Sequence, residues 1–298
     1  MKTFIKDFKN LVKLRLTLLV VFSASVTFLI GQKIQIERAN IDHINWKNWL
    51  ILIVGGFLVT GAANCFNEII EKDLDKLMTR TKDRPMPAGR MTTGQGLVLG
   101  LVMGIIGTRL LLILNLETGF ISVFSILLYA FAYTPLKRKS PIAVFVGAIP
   151  GALPPLIGYL AALGHTTEFE VMDYQIAIIL FAIQFVWQFP HFWAIAWVLD
   201  DDYKKAGFRL LPTTKRDKIS AGFTLASTLL LIPVSLLPTI YGFGGNIIAV
   251  VSLVIGIWFA WLAIKLFMKL DIDSARKLMF ASFIYLPVVQ LVLLFNLN

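Results

Sequence analysis

The sequence predicts an all-α membrane protein, a polytopic bundle of nine transmembrane helices, and three observations lead to this fold class. Apolar residues make up 57% of the 298 positions and only 15% are charged, whereas a soluble globular chain is roughly a quarter charged. The apolar residues fall into nine runs, most of them close to the ~20 residues that a helix needs to cross the hydrocarbon. The basic residues cluster in alternate connecting segments, as they do in polytopic membrane proteins. A soluble enzyme and a disordered chain are excluded.

The nine runs are continuous and are bounded by charged residues, Gly or Pro. Continuous runs exclude a transmembrane barrel, whose strands alternate apolar and polar residues. The connections are short, so we expect residues 1–298 to form a single transmembrane domain. The predicted spans lie near residues 16–31, 49–70, 95–114, 119–134, 141–162, 174–198, 219–239, 246–268 and 278–296.

The distribution of basic residues predicts how the chain is oriented. Of the 28 basic residues, twenty-four lie in the N-terminal segment and in alternate connections, and the opposite side has Lys33, Arg38 and Lys47. Because cytoplasmic segments are enriched in Lys and Arg, we expect a cytoplasmic N-terminus and an external C-terminus. The net charge of +10 then largely records topology, so we expect a lipid bilayer and no nucleic acid as partner. Arg109, inside the third run, is expected to snorkel or to pair across the bundle.

The second run ends in an acidic stripe. Asn67, Glu71 and Asp75 are spaced i, i+4, i+8 and therefore share one face of a helix, with a drift of about 80°. Asp73 lies off this face in a straight helix and would join it only if the helix unwinds. Carboxylate and amide oxygens suit Mg²⁺, which usually takes one or two carboxylates together with substrate phosphates.

Basic residues follow this stripe within ten positions and supply the opposite charge. Arg80, Lys82 and Arg84 lie in the next segment, and Lys137 lies in the short basic turn after the fourth run. The guanidinium fork suits phosphate oxygens, so the two clusters together predict a site for Mg²⁺ and a diphosphate. The alternative is a solvated, salt-bridged loop of a protein with a positively charged cytoplasmic side.

The sixth run carries polar residues in an otherwise apolar and aromatic span. Gln184, Gln188 and His191 form one stripe, to which Asp202 returns eleven residues later. Two interpretations of His191 stay open: it contacts a polar or metal-bearing ligand, or a neighbouring helix satisfies it.

The end of this run repeats the order of acid followed by base. Asp201 and Asp202 are the last two of three consecutive aspartates, and Lys204 and Lys205 follow them. This order predicts a second cation site facing the first, and the alternative is a solvated loop of mixed charge.

These motifs resemble the UbiA superfamily of intramembrane prenyltransferases, most closely its haem-prenylating branch. The resemblance runs through most of residues 11–212. It rests on Asn67-x-x-x-Glu71-x-Asp73-x-Asp75-x-x-Met78-x-Arg80-Thr81-Lys82-x-Arg84-Pro85, Tyr133-Thr134-Pro135-Leu136-Lys137-Arg138, Gly147-Ala148-Ile149-Pro150-Gly151-Ala152-Leu153-Pro154-Pro155, Trp187-Gln188-x-Pro190-His191-Phe192 and Asp202-Tyr203-x-x-Ala206-Gly207. Four positions depart from the family: Glu71 replaces an Asp, Leu14 replaces a Pro, and Phe208-Arg209 replaces Ile-Pro.

The resemblance implies a UbiA-like bundle in which two acidic motifs bind Mg²⁺ and a prenyl diphosphate. It also implies transfer of the farnesyl group of farnesyl diphosphate to a vinyl group of haem B, which gives haem O and diphosphate. The implied metal-binding residues are Asn67, Glu71, Asp75, Asp201 and Asp202, with Asp73 assisting. The implied diphosphate contacts are Arg80, Lys82, Arg84, Lys137 and Lys204. The implied haem contacts are His191, Gln188 and Trp187.

The resemblance further implies a bacterial inner-membrane location with the active site facing the cytoplasm. A haem A synthase or a terminal oxidase assembly would act downstream. Two other functions are compatible with an intramembrane acidic cluster: that of a related prenyltransferase that acts on an aromatic quinone precursor, and that of an ion-coupled transporter. Transporter sites lie near the bilayer midplane, whereas these acids lie at helix ends, which disfavours transport.

Overall fold

The computed structural model describes residues 2–39, 43–164 and 171–298. Within these residues the chain is helical and contains no strand. The helices are α1 (Lys2–Leu11), α2 (Leu14–Ala39), α3 (Trp46–Asp75), α4 (Thr93–Leu114), α5 (Leu116–Leu127), α6 (Thr134–Leu136), α7 (Ala143–Leu163), α8 (Val171–Lys205), α9 (Lys218–Ile240), α10 (Asn246–Lys269) and α11 (Ile272–Phe295). A π-helical turn, Leu128–Tyr133, joins α5 to α6. The predicted single domain of residues 1–298 also includes residues 1, 40–42 and 165–170, which lie outside the described residues.

Nine helices in the described part of the chain are long and apolar enough to cross a membrane. They are α2, α3, α4, the continuous α5–α6 unit, and α7 to α11. The prediction of an all-α bundle with nine transmembrane helices is confirmed for these residues, and the chain is an integral membrane protein. The short helix α1 has a strongly amphipathic sequence, and the apolar runs do not predict it.

Two helices continue well beyond the apolar runs that predict them. Helix α3 has 30 residues and α8 has 35, which at 1.5 Å per residue gives lengths of about 45 and 52 Å. Because the hydrocarbon is about 30 Å thick, both helices project from it. Both helices continue through the acidic residues of the two motifs, so these acids are on rigid helices rather than on loops.

Two large apolar clusters form most of the core, and α2 and α7 contribute to both. One cluster packs around the fully buried Trp197, Tyr285 and Phe259, and the other joins α3 and α4 to α2 and α7. Helices α2 and α7 approach closely because Gly158 lies against the carbonyl oxygen of Ala24 and has no side chain to keep them apart. Small residues allow such close packing in membrane bundles.

We expect Gly158→Ala to destabilise the bundle. A Cβ atom at Gly158 would clash with the Ala24 carbonyl oxygen and with Thr27 Oγ1, and overpacking of this kind costs about 1–3 kcal/mol. Gly56→Ala is the control, because its Cβ would meet only Val21 Cγ2, at 3.8 Å. Thermal unfolding in detergent should show a lower midpoint for Gly158→Ala and an unchanged or slightly higher one for Gly56→Ala. Equal midpoints for the two variants would contradict this account of the α2–α7 contact.

Candidate active site

The acidic stripe of α3 is buried and faces three cations from other parts of the chain. Asn67, Glu71 and Asp75 are at most 3% exposed. The helix stays regular to Asp75, so the i, i+4, i+8 spacing keeps these three side chains on one face. Each of them contacts a different basic residue, and the three basic residues come from three separate segments.

The contacts are short and charge-assisted. Lys13 Nζ donates to Asn67 Oδ1 over 2.5 Å, and Lys137 Nζ donates to Glu71 Oε1 over 2.8 Å. An Arg84 guanidinium nitrogen donates to Asp75 Oδ2 over 2.6 Å. Buried carboxylates require such partners, since an unpaired charge in a low-dielectric interior is very costly.

Lys137 is held by aromatic rings as well as by Glu71. Its Nζ lies 4.6 Å from the centre of the Tyr133 ring and 5.6 Å from that of Phe208, in cation–π contact with both. Burial alone would lower the pKa of Lys137, but the neighbouring Glu71 carboxylate outweighs it and raises that pKa above the ordinary value. Lys137 is therefore a fixed positive charge within the site.

Lys13 is a site residue that sequence reasoning missed. It lies between α1 and α2 with a left-handed φ of 48°, which directs the chain so that the ammonium reaches Asn67. Burial, with further contributions from Arg84 and Lys137, lowers the pKa of Lys13 to about 7. The sequence offers only a weak signal, because Lys13 is one of several basic residues in the N-terminal segment.

Glu68 is a second residue that the stripe did not predict. It is fully buried, and its Oε1 accepts a hydrogen bond from the Met86 backbone N–H over 3.1 Å. This contact fastens the segment after α3 onto the helix. Glu68 is one position beyond Asn67, about 100° around the helix, and therefore faces that segment instead of the stripe.

The donor atoms fit a magnesium ion that is shared with a substrate. Asp75 Oδ1 is buried and has no hydrogen-bond partner among the described residues. A cavity of about 450 Å³ opens beside Glu71 and is bordered by Thr134 and Arg138. Within the described chain no three His, Cys, Asp or Glu side chains converge closely enough to hold a metal ion alone. Two carboxylates and an amide oxygen nevertheless suit Mg²⁺ when substrate phosphates complete its coordination.

Asp202 connects the second acidic motif to the segment after the first. Its carboxylate accepts hydrogen bonds from the backbone N–H groups of Thr79 and Arg80, over 2.7 and 3.1 Å. Lys205 donates to Asp202 over 3.0 Å and to Thr79 Oγ1 over 2.8 Å. The end of α8 and the segment after α3 are therefore joined at this point.

Two of the predicted acidic residues are not brought to this cluster. The Asp73 side chain is 71% exposed and pairs with Lys76, because α3 does not unwind before Asp75. The Asp201 side chain is 73% exposed and pairs with Arg216, because it is rotated about 100° from Asp202 on α8. Of the predicted phosphate contacts, Arg80 and Lys82 are exposed.

The remaining predicted phosphate contact, Lys204, pairs with Asp200 over 2.6 Å. It is one helical turn beyond Asp200 on α8, an i, i+4 spacing that favours such a pair. Its side chain is 57% exposed, so the structure places Lys204 at the surface of the second motif and not among the buried cations.

The His191 side chain belongs to an aromatic group between α8 and α11. Its Nδ1 lies 2.7 Å from Ser282 Oγ, and its ring stacks on Trp187 with a 4.4 Å centroid separation. Phe283 contacts the same ring edge-on. Gln188 instead faces α7, where it donates to the Ala148 carbonyl oxygen. Along α8, His191 is about 16 Å from Asp202.

Comparison with known families agrees with this architecture. The model of the UbiA prenyltransferase family matches residues 37–286. The match covers most of the chain, and the chain belongs to this family: it is a membrane-embedded prenyltransferase.

Relatives with high similarity share one name. The protoheme IX farnesyltransferase of Cytophaga hutchinsonii is 43% identical over 284 residues, which cover 95% of this chain and 94% of the relative. The protoheme IX farnesyltransferase of Flavobacterium psychrophilum is 42% identical, with 98% of this chain and 94% of the relative covered.

Solved structures of more distant proteins share the fold. A digeranylgeranylglyceryl phosphate synthase superposes with a TM-score of 0.79 at 20% identity, covering 99% of both chains. A UbiA homologue from Archaeoglobus fulgidus, bound to GPP and Mg²⁺, gives 0.65 at 10% identity and covers 96% of this chain and 99% of its own. At these identities the likeness concerns the fold alone.

We expect Asp202→Ala to loosen the segment after α3, because it removes acceptors from two backbone N–H groups. Hydrogen bonds to a charged group contribute about 1.5–3 kcal/mol each, so amide hydrogen exchange at Thr79 and Arg80 should accelerate at least about tenfold. Asp201→Ala is the matched control, since Asp201 faces solution and should leave these amides unchanged. Identical exchange at Thr79 and Arg80 in the two variants would disprove the proposed fastening.

Proposed function

We propose that this prenyltransferase transfers the farnesyl group of farnesyl diphosphate to a vinyl group of haem B, giving haem O and diphosphate. The C1–O bond to diphosphate breaks, a C–C bond to the vinyl carbon forms, and water supplies the hydroxyl group of the product. The observation that carries the proposal is the buried face of Asn67, Glu71 and Asp75, in which every acid or amide contacts a cation. The relatives named protoheme IX farnesyltransferase support the choice of acceptor.

The cluster contains groups for both parts of a metal–diphosphate. We infer that Asn67, Glu71 and Asp75, with Asp202 from the second motif, hold Mg²⁺. Magnesium, when bound, would neutralise charge on the diphosphate as a Lewis acid. Asp73 and Asp201 fall outside this set because their side chains face solution.

Lys13, Arg84 and Lys137 are the cations that we assign to the diphosphate. In the structure Arg84 and Lys137 neutralise Asp75 and Glu71, and Lys13 donates to the amide oxygen of Asn67. A ligand that brings both a divalent cation and phosphate oxygens can replace each of these contacts by an equivalent one. The cations then stabilise the negative charge that develops on the leaving diphosphate, where preorganised charge contributes most to catalysis.

Exposed basic residues extend this surface. Arg80 and Lys82 lie beside the segment whose backbone Asp202 holds, and Lys204 lies at the end of α8. We infer that they attract the diphosphate and close over it, because an exposed basic cluster raises the local concentration of an anion.

The haem contact that we propose is the aromatic group at α8. Trp187 and His191 present two stacked rings, and Phe283, 40% exposed, borders them. Such surfaces suit a planar macrocycle, and the contact of His191 Nδ1 with Ser282 leaves Nε2 as the nitrogen for iron. Gln188 would orient the same part of α8 through its bond to α7.

We further propose that the chain acts as one domain in a bacterial inner membrane, with a cytoplasmic N-terminus, an external C-terminus and the diphosphate site on the cytoplasmic side. The contributions of α2 and α7 to both core clusters support the single domain, and the distribution of basic residues supports the orientation. The product, a haem with a new hydroxyalkyl group, would be used by a haem-oxidising enzyme such as haem A synthase or in oxidase assembly.

Asp75→Asn should strongly slow prenyl transfer. It keeps the size of the side chain but removes the charge that pairs with Arg84, and loss of one preorganised charge in an active site lowers rates about 100–1,000-fold. Asp73→Asn is the matched control, because an exposed residue changes the energy by at most about 0.5 kcal/mol. Rates with haem B, farnesyl diphosphate and Mg²⁺ in detergent test this. Wild-type turnover in Asp75→Asn would refute the metal assignment.

A competition between acceptors tests the substrate. Purified protein with farnesyl diphosphate should convert haem B and leave 4-hydroxybenzoate unchanged, as judged by the mass of the products. Conversion of 4-hydroxybenzoate alone would favour the quinone-precursor alternative.

His191→Ala should weaken haem binding at least about tenfold without changing the binding of labelled diphosphate, because the variant loses a coordination bond to iron or the stacked ring. Equal weakening of both would contradict the haem assignment.

A further inference from the structure

A groove on the lipid-facing side of α4 contains the arginine that topology does not explain. It has a volume of about 320 Å³ and lies between α4 and α5 against Phe66 of α3. Its walls include Leu101, Ile105 and Leu127, and Arg109 lies near one end. The volume is at the lower end of the range for small-molecule sites, about 300–1,000 Å³.

Arg109 is a charged side chain exposed on a membrane span. It is five residues from the end of α4 at Leu114, about 7.5 Å along the axis. Within the described residues its guanidinium has no hydrogen bond or ion pair. Charged residues inside spans are energetically costly and are usually retained for a function. An anionic partner at the edge of the hydrocarbon would offset the cost of this guanidinium charge.

The dimensions of the groove match one leaflet of a bilayer. Its α4 residues run from Gly100 to Leu112, which is twelve positions or about 18 Å. Half of the hydrocarbon thickness is about 15 Å. At Gly104 a Cβ atom would meet Ala62 Cβ at 3.5 Å and Ile126 Cδ1 at 3.9 Å, which is ordinary van der Waals contact, so this position of the groove wall accepts a larger side chain without a clash.

The geometry points to a binding site for one phospholipid, with the phosphate on Arg109 and one acyl chain in the groove. Arginine binds phosphate oxygens through its planar fork and keeps its stem in apolar surroundings. Helix α4 begins at Thr93, next to the segment that carries Arg84, so Arg109 is about 24 Å further along the helix. The lipid therefore belongs to the leaflet opposite the diphosphate site, and its site is separate from that of the substrates.

Bound in this way, the lipid fills the space between α3, α4 and α5. The groove is lined by residues from all three helices, so an acyl chain there contacts each of them. This lipid is held by two kinds of contact at once, apolar contact along the groove and an ionic contact at its end. Lipids in ordinary contact with the bundle lack this combination.

Native mass spectrometry of the detergent-purified full chain tests this proposal. The probes are palmitoyl-oleoyl phosphatidylglycerol, the corresponding phosphatidylethanolamine, and the diacylglycerol with the same chains. Wild-type protein should retain one molecule of either phospholipid and no diacylglycerol. Arg109→Gln should lower the occupied fraction at least about tenfold, and Arg109→Lys should lower it less, since lysine also binds phosphate.

Two further variants make the result specific. Lys265→Gln removes another basic residue that lies about one turn from the end of a span, where it contacts the Trp261 ring, and should retain lipid as the wild type does. Gly104→Leu keeps Arg109 but fills the groove and should lose the lipid. Retained prenyl transfer in Arg109→Gln shows that the variant is folded. Equal lipid retention by Arg109→Gln and wild type, or equal retention of diacylglycerol, would overturn the proposal.

Discussion

The structure depends on mutual neutralisation of buried charge at one end of the bundle. Glu71 and Asp75 are buried at the end of α3, where each carboxylate would be very unfavourable without a cation. Their partners, Lys137 and Arg84, come from other segments, and Lys13 adds a third contact at Asn67. The requirement for pairing therefore fixes the α1–α2 junction, the segment after α3 and the turn after α6 around one helix face. The same requirement prepares this face for a ligand that carries both signs of charge.

Rigid helices deliver these groups to the membrane surface. Helices α3 and α8 both continue past their apolar runs, so their acidic residues keep helical spacing. Asp202 then joins the two ends through the backbone of Thr79 and Arg80. Positioning on helices is more exact than positioning on mobile loops, and a reaction that breaks a bond to diphosphate requires such fixed charge.

Sequence reasoning predicted what depends on local pattern. Long apolar runs gave the nine spans, and the i, i+4 rule gave the shared face of Asn67, Glu71 and Asp75. Helices α3 and α8 continue beyond their apolar runs, because charged residues in water can continue a helix that hydropathy no longer detects. Asp73 and Asp201 belong to the set that the family resemblance implies, but each is one or two residues from the buried face on a regular helix, and its side chain faces solution.

Other parts of the site depend on contacts between distant residues, which spacing cannot reveal. Lys13 reaches Asn67 only because the chain takes a left-handed turn before α2, and Glu68 has a backbone partner eighteen residues away.

Helix α8 runs without interruption from His191 to Asp202. The angle between the His191 and Asp202 side chains around the helix axis is therefore fixed, and inserting a single residue between them would change that angle by about 100°. Descendants of this chain can therefore change the side chains of this segment far more readily than its length.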